Sequence, residues 1–469
     1  MCVYILYLSM KKILLLILFL VAANHVAQAQ NCGDDFLGSK TLYKKPAKPD
    51  TAAPTGYVPV FINHVGRHGA RFPTTAVKSS YAYQLIHKAD SLGLLTSDGD
   101  TLWKMIKKLN IVVGKNAASI SIEGRQELKG IGERMAQNYK SVFARAPLIE
   151  VRVTKELRTK QSDTAFFKGL NGVLRTNFSP AAQNDSVDLR FYDISCNYKK
   201  FEDSVPKREP EKSFDKQLGL EKIDYTVTHK IFKSAILDTL NDTLKKKFVS
   251  DLFGFACIVY SLQNEIKNSG LPIQDFDFKS FFTCDQLKKL DTLGSADEYL
   301  KKGPGVNNNG IQVRVAVPLL VDFINTADAY IKSGKFGAKL RFAHAETIAP
   351  IAALFEIEGA DKASSNIYTI SKVWKSSKVI PLSSNIQWIF YRNTTAPYDF
   401  VVKILLNEQQ ASISGLEPLK INNKNWYRWR DLRAFYVKKL AGWCIPLDYD
   451  MTKYLKKLTN KTPHCNSIP

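Results

Sequence analysis

A decisive stretch of this chain is His64-Val65-Gly66-Arg67-His68-Gly69-Ala70-Arg71-Phe72-Pro73-Thr74, which directly follows the short apolar run Tyr57–Asn63. The predicted fold and the predicted site both depend on this junction. The run is rich in β-branched and aromatic side chains, so it predicts a buried strand that ends in a glycine-containing turn. Gly69 allows a tight backbone turn, and Pro73 starts the next element with a fixed φ. In an α/β protein, reactive groups gather at the carboxyl ends of the strands, which makes this turn the first candidate site.

The charged residues of this turn suit a phosphate group. The planar guanidinium groups of Arg67 and Arg71 can each bind two oxygens of a tetrahedral anion. Crowded cations disfavour a protonated imidazole, which leaves His68 neutral and able to attack phosphorus directly. Taken without the rest of the chain, His68 could also be a structural histidine in a basic turn.

The remainder of the chain alternates predicted strands with predicted helices. Strand patterns occur at Ile149–Thr154, Val187–Ile194, Lys339–Ala343, Asn385–Tyr391 and Phe400–Leu406. Helical patterns occur at Ser79–Leu94, Ile122–Phe143, Asp163–Leu170, Ile311–Ser333, Thr347–Glu356 and Trp426–Ala441. This alternation predicts an α/β fold with a mostly parallel central sheet flanked by helices.

Residues 195–310 interrupt the alternation. The stretch 197–222 is charged and loop-like, and the stretch 230–300 has mainly helical patterns. Two turn clusters, Gly303-Pro304-Gly305 and Asn307-Asn308-Asn309-Gly310, then precede the helical pattern that begins at Ile311. We therefore expect a core domain made of residues 30–194 and 311–469, with an inserted, mainly helical cap at 195–310.

The amino terminus has the pattern of an exported protein. Lys11 and Lys12 precede an apolar run from Ile13 to Ala23, and Ala27-Gln28-Ala29 matches the small-x-small pattern that signal peptidase recognises. We expect residues 1–29 to be a signal peptide, cleaved near Ala29, and the mature chain to be secreted or periplasmic. The run is short for a bilayer, and no later stretch reaches about 18 apolar residues, so we expect no stable membrane span.

Six cysteines follow the predicted leader, namely Cys32, Cys196, Cys257, Cys284, Cys444 and Cys465. An even number in an exported chain favours disulfides, although the sequence cannot choose among the possible connectivities. The pairs closest in sequence, Cys257/Cys284 and Cys444/Cys465, are the provisional assignment. The cysteine spacings match no zinc site, and we expect no bound metal.

The composition is strongly basic. Among 469 residues, 66 Lys+Arg face 44 Asp+Glu, and the formal net charge is +22, which falls to +20 when Lys11 and Lys12 leave with the leader. A hydrophobic fraction of 45% excludes a disordered or collagen-like chain. The basic residues are dispersed, without the aromatic interleaving of single-strand binders, so we expect no nucleic-acid partner. The positive electric field of these residues would keep the protein soluble or attract a small anionic ligand.

The segment Arg67-His68-Gly69-Ala70-Arg71-Phe72-Pro73 resembles the Arg-His-Gly-x-Arg-x-Pro signature of the histidine phosphatase superfamily, in its acid phosphatase and phytase branch. A later segment, Arg158-Thr159-Lys160-Gln161-Ser162-Asp163-Thr164-Ala165-Phe166, is similar to that branch's second arginine segment. The resemblance implies that Arg158 is a third phosphate ligand. Considered alone, Arg158 would be an ordinary surface cation.

A third segment, Arg341-Phe342-Ala343-His344-Ala345-Glu346-Thr347, narrows the resemblance. Most acid phosphatases of this branch have His-Asp here, whereas His-Ala-Glu resembles the multiple inositol polyphosphate phosphatases. The likeness runs from about Tyr57 to Glu408 and implies that His344 binds phosphate and Glu346 donates a proton. Without the other motifs, His344 would cap a strand and Glu346 would be a first-turn acid of a helix.

The resemblance implies a two-step reaction without metal or cofactor. The phosphate ligands would be Arg67, Arg71, Arg158 and His344. His68 would attack phosphorus, Glu346 would protonate the leaving alcohol, and water would cleave the phosphohistidine. The substrate would be an inositol polyphosphate, with phytate the leading candidate, and we expect a monomer whose cap contributes cations such as Lys199, Lys207 or Arg208.

Glu346 must be protonated to act as an acid. The start of a helix favours the carboxylate by about 0.3–1 kcal/mol, whereas a phosphate charge some 4 Å away opposes ionisation by about 4 kcal/mol at an effective dielectric constant near 20. Glu346 is therefore expected to take up its proton mainly in the substrate complex, and activity should fall as the pH rises.

Three alternatives remain open on the sequence. A broad-specificity histidine acid phosphatase would use the same chemistry on small phosphomonoesters. The chain could instead be a non-catalytic protein that binds polyanions. Finally, His64, His68 and His344 could ligate zinc.

Overall fold

A single mixed sheet forms the centre of the molecule. The computed structural model describes residues 32–144, 148–205 and 208–463 of the chain. Within those residues the strands are β1 (Tyr57–Arg67), β2 (Leu148–Val153), β3 (Ala182–Asn184), β4 (Phe336–Ala343), β5 (Asn385–Asn393), β6 (Phe400–Leu406), β7 (Gln409–Gln410), β8 (Leu419–Ile421) and β9 (Lys424–Arg428). Their spatial order is β3-β2-β4-β1-β5-β6-β9-β8, with β7 paired to β6.

The sheet has a parallel half and an antiparallel half. Strands β3, β2, β4 and β1 run parallel to one another, whereas β5 pairs antiparallel with β1, and β6, β7, β9 and β8 continue the antiparallel pairing. The parallel core confirms the predicted α/β class. The antiparallel extension arises because β5 and β6, which the sequence predicts as strands, follow each other closely and pair as a hairpin.

Helices surround the sheet and form a separate layer beside it. They are α1 (Tyr81–Ser91), α2 (Ser97–Val113), α3 (Ile122–Asn138), α4 (Lys140–Phe143), α5 (Leu157–Leu174), α6 (Phe191–Ile194), α7 (Cys196–Ser204), α8 (Glu209–Leu218), α9 (Leu220–Ile231), α10 (Ser234–Leu237), α11 (Asp242–Ile258), α12 (Gln263–Asn268), α13 (Cys284–Lys301), α14 (Ile311–Arg314), α15 (Val317–Ser333), α16 (Ala345–Leu354), α17 (Ile370–Val373), α18 (Ser376–Val379), α19 (Trp429–Gly442) and α20 (Met451–Lys457).

Local sequence explains where several of these helices begin. The side chains of Ser80, Thr96 and Ser121 accept hydrogen bonds from the backbone of the first turns of α1, α2 and α3. At α13, Thr283 and Gln286 form a reciprocal capping box. Such caps satisfy backbone N–H groups that the helix itself leaves unpaired.

The predicted strand at Val187–Ile194 is wrong. The backbone N–H of Asp188 donates to the Asp185 carboxylate at 2.9 Å, which makes a turn, and α6 follows. Leu189 and Phe191 are both buried, so their spacing imitates the alternation of a strand although they belong to a turn and a helix. The predicted helix at Trp426–Ala441 likewise begins later, at Trp429, because β9 occupies its first residues.

Apolar side chains of the described residues form three buried clusters. The β1 residues Phe61 and Val65 pack in one cluster with α15, α16 and α19, whereas Ile62 packs in another with α3 and α5. The period of two along β1 therefore places helical layers on both faces of the sheet. The third cluster is helical and joins residues 36–113 with residues 220–287, so α1 and α2 share a core with α9 and α11.

One disulfide joins Cys32 to Cys284 at the start of α13. The provisional pair Cys257/Cys284 is therefore wrong, and Cys257 is a buried free thiol. Spatial proximity across 252 residues, which sequence spacing cannot reveal, determines this bond. Cys444 is also disulfide-bonded, and its predicted partner Cys465 lies outside the described residues.

The predicted signal peptide, residues 1–29, also lies outside the described residues. Across the described part of the chain, no helix combines the length and the apolar character that a bilayer crossing requires.

Candidate active site

The register of two parallel strands brings the two motif histidines together. Arg67 at the end of β1 lies opposite Ala343 at the end of β4. His68 and His344 therefore leave adjacent strands at the same edge, and the His68 backbone N–H donates to the Ala343 carbonyl oxygen at 3.0 Å. The centroids of the two imidazole rings are 5.5 Å apart. This edge is where the sequence placed the candidate site.

The hydrogen bond of His68 determines its tautomer. Its Nδ1 lies 2.9 Å from the Gly69 carbonyl oxygen. Because a carbonyl oxygen only accepts, Nδ1 carries the hydrogen and Nε2 carries the lone pair. Burial, with Arg67 and the other nearby cations, holds the pKa of His68 well below its usual value. The imidazole is therefore neutral, with Nε2 available as a nucleophile.

The turn after His68 is held by buried polar contacts. The Glu127 carboxylate accepts hydrogen bonds from the Ala70 N–H at 2.9 Å and from the Ser383 hydroxyl at 2.7 Å. The Gly69 N–H donates to the Ser162 hydroxyl oxygen at 3.2 Å. Glu127 was not predicted as a site residue from the sequence, yet its carboxylate fixes the backbone that carries His68 and Arg71.

Gly69 and Gly124 let this turn lie directly on α3. A Cβ on Gly69 would stand 2.6 Å from the Gly124 carbonyl oxygen, and a Cβ on Gly124 would overlap the Ala70 backbone. Both positions therefore need glycine for close packing.

The guanidinium groups of Arg67 and Arg71 have N–H groups that remain available for a ligand. Arg67 donates from Nη1 to the carbonyl oxygens of Ser39 and Ile380, at 2.6 and 2.5 Å. Its buried Nε has no hydrogen-bond partner among the described residues. Burial lowers the pKa of Arg71 to about 10, and that of Arg67 also falls below its usual value. Both side chains remain cationic at neutral pH, and an oxyanion would satisfy their remaining N–H groups.

Arg158 and Thr154 fix His344. Arg158 Nη2 lies 3.3 Å from His344 Nδ1, and Thr154 Oγ1 lies 2.9 Å from His344 Nε2. Because arginine only donates, Nδ1 accepts and Nε2 carries the hydrogen. Burial and Arg158 lower the pKa of His344 to about 3. A phosphate oxygen is also an acceptor, so His344 can bind it through Nδ1 only when Nδ1 carries a hydrogen, either in the imidazolium or in the other neutral tautomer, in which the Thr154 hydroxyl donates to Nε2.

Glu346, in the first turn of α16, forms an ion pair with Lys302. Lys302 Nζ donates to Glu346 Oε1 at 2.7 Å. Burial raises the pKa of Glu346, but the ion pair and hydrogen bond with Lys302 outweigh burial and hold it below its usual range. The Glu346 side chain keeps 36% of its accessible surface, so solvent and substrate can reach it. In the free protein Glu346 is therefore a carboxylate.

Several residues around this cluster lie outside the sequence motifs. Glu156 forms ion pairs with Arg158 at 3.2 Å and with Arg190 at 2.5 Å, so it links the predicted phosphate ligand to a further cation. Lys302 lies directly before the Gly303-Pro304-Gly305 turn, which predicts a change of chain direction but no contact with Glu346. Thr154 directly follows β2 and carried no motif.

The structure does not bring the three histidines of the zinc alternative together as ligands. The His64 ring is buried on β1 and packs against Phe166 and Phe342. Within residues 32–144, 148–205 and 208–463, no group of three or more His, Cys, Asp or Glu side chains is arranged to hold a metal ion.

The structure gives less evidence on the cap cations that the sequence predicted as substrate contacts. Lys199 is exposed on α7, and the Arg208 guanidinium lies over the Phe201 ring at 4.8 Å. Lys207 lies outside the described residues.

Comparisons with known proteins agree with this fold. The family model described as histidine phosphatase superfamily (branch 2) matches residues 60–407. A structure of Bifidobacterium longum multiple inositol polyphosphate phosphatase in complex with inositol hexasulfate is 23% identical, with a TM-score of 0.74 over 86% of this chain and 98% of that one. The phytase from D. castellii is 14% identical, with a TM-score of 0.62 over 92% and 89%. No curated protein sequence matches the chain.

Proposed function

The chain belongs to the histidine phosphatase superfamily (branch 2), and from that premise we propose that it hydrolyses phosphomonoesters of inositol polyphosphates through a phosphohistidine intermediate. The observation that carries the proposal is the neutral His68 whose Nε2 is free while three arginines surround it. Such an arrangement supplies both a nucleophile and the positive charge that a transferring phosphoryl group needs.

In the first step His68 displaces the alcohol. Arg67, Arg71 and Arg158 bind the non-bridging oxygens of the scissile phosphate. His68 Nε2 forms a bond to phosphorus while the ester P–O bond breaks, and the electron pair stays on the leaving oxygen. Glu346, protonated in the complex, transfers its proton to that oxygen, so the alcohol leaves neutral.

In the second step water cleaves the phosphohistidine. The oxygen of water forms a bond to phosphorus while the N–P bond breaks and returns its electron pair to His68 Nε2. The Glu346 carboxylate accepts a proton from this water, which restores the acid. The hydrogen bond between His68 Nδ1–H and the Gly69 carbonyl holds the ring in the required tautomer in both steps.

Two observations support inositol polyphosphates as the substrate class. The Bifidobacterium longum structure named above is of a multiple inositol polyphosphate phosphatase with an inositol hexasulfate ligand. The present chain has the His344-Ala345-Glu346 sequence and carries a formal charge of +22, which would attract a polyanionic ring and increase its rate of capture. The proposed chemistry needs no residue from a second chain, and we propose a monomer.

We also propose export to an oxidising compartment, either secretion or the periplasm. The Cys32–Cys284 disulfide supports this location, since such bonds persist mainly outside the reducing cytosol.

The test is turnover of phytate, followed as released phosphate and as the order of lower inositol phosphates, beside p-nitrophenyl phosphate at the same pH. We expect a higher kcat/KM for phytate. Equal or better turnover of the small ester would favour the broad-specificity acid phosphatase. Binding of phytate without release of phosphate would favour the non-catalytic polyanion binder.

A further inference from the structure

The ion pair between Lys302 and Glu346 joins two parts of the chain that the motifs do not connect. Glu346 follows the core strand β4, whereas Lys302 follows α13. Arg67, Arg71 and Arg158 all act on His68. Lys302 acts instead on Glu346, the proposed proton donor. Lys302 is therefore placed to control the acid rather than the phosphoryl group under attack.

This ion pair creates a conflict with the proposed chemistry. A general acid must carry a proton, and the Lys302 ammonium opposes protonation of Glu346 at 2.7 Å. Arg67 and Arg71 also act on Glu346 and oppose protonation, whereas His344 is neutral. An anion that binds Lys302 in place of Glu346 would remove the effect of Lys302, which is the strongest of those that oppose protonation of Glu346.

We propose that Lys302 is a switch that makes the enzyme specific for substrates with more than one phosphate group. In the free protein Lys302 holds Glu346 as a carboxylate. A second phosphate group of the substrate binds Lys302 and thereby releases Glu346, which takes up a proton from solvent and delivers it to the leaving oxygen. This inference rests on the proposed function and refines it. A monophosphate ester has no second charge with which to engage Lys302, so Glu346 stays ionised and alkyl monophosphates react slowly.

The surroundings of Lys302 allow it to exchange partners. Two other carboxylates, Glu298 and Glu202, act on the ammonium group, so it does not become an isolated buried charge when it leaves Glu346. The tyrosines that face Glu346, Tyr192 and Tyr198, have pKa values raised by burial and stay neutral at working pH. The Lys302 side chain is 14% exposed and that of Glu346 36% exposed, so the ion pair is open to a phosphate that approaches from solvent.

The test compares three substrates in the wild type and in Lys302→Met. p-Nitrophenyl phosphate has a good leaving group and needs little proton transfer. β-Glycerol phosphate needs proton transfer to its leaving oxygen but has only one phosphate group. Phytate needs the same proton transfer and has neighbouring phosphate groups. In the wild type, kcat for phytate should persist to a higher pH than kcat for β-glycerol phosphate. In Lys302→Met, kcat for β-glycerol phosphate should rise about tenfold for each pKa unit gained by Glu346, while kcat for p-nitrophenyl phosphate stays within about twofold.

Lys301→Met is the matched control, because Lys301 is paired with Asp297 in α13. It should leave all three profiles unchanged. The inference is overturned if Lys302→Met changes the three substrates in parallel. If that variant does not fold, the wild type decides, and coincident pH limits for phytate and β-glycerol phosphate contradict the switch.

A binding measurement separates failure of this inference from failure of the proposed function. Calorimetry in buffers of different ionisation enthalpy reports proton uptake without any turnover. Inositol hexasulfate should drive uptake that is reduced in Glu346→Gln, whereas inorganic sulfate should drive none at Glu346. Identical uptake in the wild type and Glu346→Gln would overturn the switch, whereas absence of turnover with the predicted uptake would overturn only the phosphatase assignment.

Discussion

The protonation state of Glu346 limits what the cluster around His68 can do. Lys302 holds the pKa of Glu346 below its usual range in the free protein. A carboxylate cannot donate a proton, so the alcohol would leave as an alkoxide unless substrate binding raises that pKa. Since the protonated fraction falls with rising pH, activity on alkyl phosphates should fall as well.

Replacing Glu346 with glutamine tests this role at the level of one residue. Glutamine keeps the shape but donates no acidic proton, so kcat for phytate, whose complex holds Glu346 protonated, should fall by about 10²–10⁴-fold, with a much smaller loss for p-nitrophenyl phosphate. Steady-state kinetics with both esters measure the difference, and Glu221→Gln, an exposed change in α9, is the control. Equal losses for the two esters would remove the proton-donor role.

At this scale the sequence predicted the residues that lie in contiguous motifs and missed those that do not. Arg67, His68 and Arg71 share one turn, and the strand register places His344 beside them. Lys302, Thr154 and Glu127 reach the same cluster from separate segments. Their roles come from tertiary contacts, so no local spacing could indicate them.

At the level of secondary structure, the fit of the catalytic turn against α3 depends on two glycines. A methyl group on Gly124 would overlap the Ala70 backbone, whereas a methyl group on Gly172 of α5 would meet no atom within 4 Å. Gly124→Ala should therefore displace the turn, lower kcat by about 10²-fold and lower the melting temperature. Gly172→Ala should keep kcat and raise stability by up to about 1 kcal/mol. Wild-type kinetics in Gly124→Ala would contradict the close packing.

The strands and helices differed in how well their patterns predicted them. Long strands of the parallel core, buried on both faces, gave clear apolar runs, as at β1 and β4. The two- to five-residue strands β7, β8 and β9 are too short to show a period. The turn and short helix at 187–194 imitated a strand because their apolar residues also point inward.

For the whole molecule, the helical cluster favours a cap that is not contiguous in sequence. Helices α1 and α2 share a core with α9 and α11. We propose that the cap consists of α1 and α2, which precede β2 in the chain, together with residues 220–287, because Tyr198 and Tyr299 pack in the cluster of the sheet. A contiguous insertion was the simplest interpretation of the sequence, because only folding brings residues 36–113 against residues 220–287.

Stability should depend on pH through buried carboxyl groups such as Asp163. Burial raises its pKa from 3.8 to about 7, so the folded protein binds a proton that the unfolded chain releases. This contribution is present in full below pH 3.8 and is lost as the pH rises through about 7. Asp163→Asn should therefore gain stability relative to the wild type by a few degrees between pH 4 and pH 8. Melting curves at both pH values measure the melting temperature of Asp163→Asn relative to the wild type, and Asp238→Asn, a change at an exposed position, is the control. A difference in melting temperature that is the same at pH 4 and pH 8 would contradict the raised pKa of Asp163.

If His68 is the nucleophile, a phosphohistidine forms during turnover, and rapid chemical quenching with radiolabelled substrate detects it. We expect an acid-labile, alkali-resistant label on the peptide that contains His68, formed and lost at rates compatible with kcat and absent in a folded His68→Ala variant. His229→Ala, which replaces an exposed histidine of α9, should retain the label. A label on another side chain, or phosphate release in His68→Ala at the wild-type rate, would rule out His68 as the nucleophile.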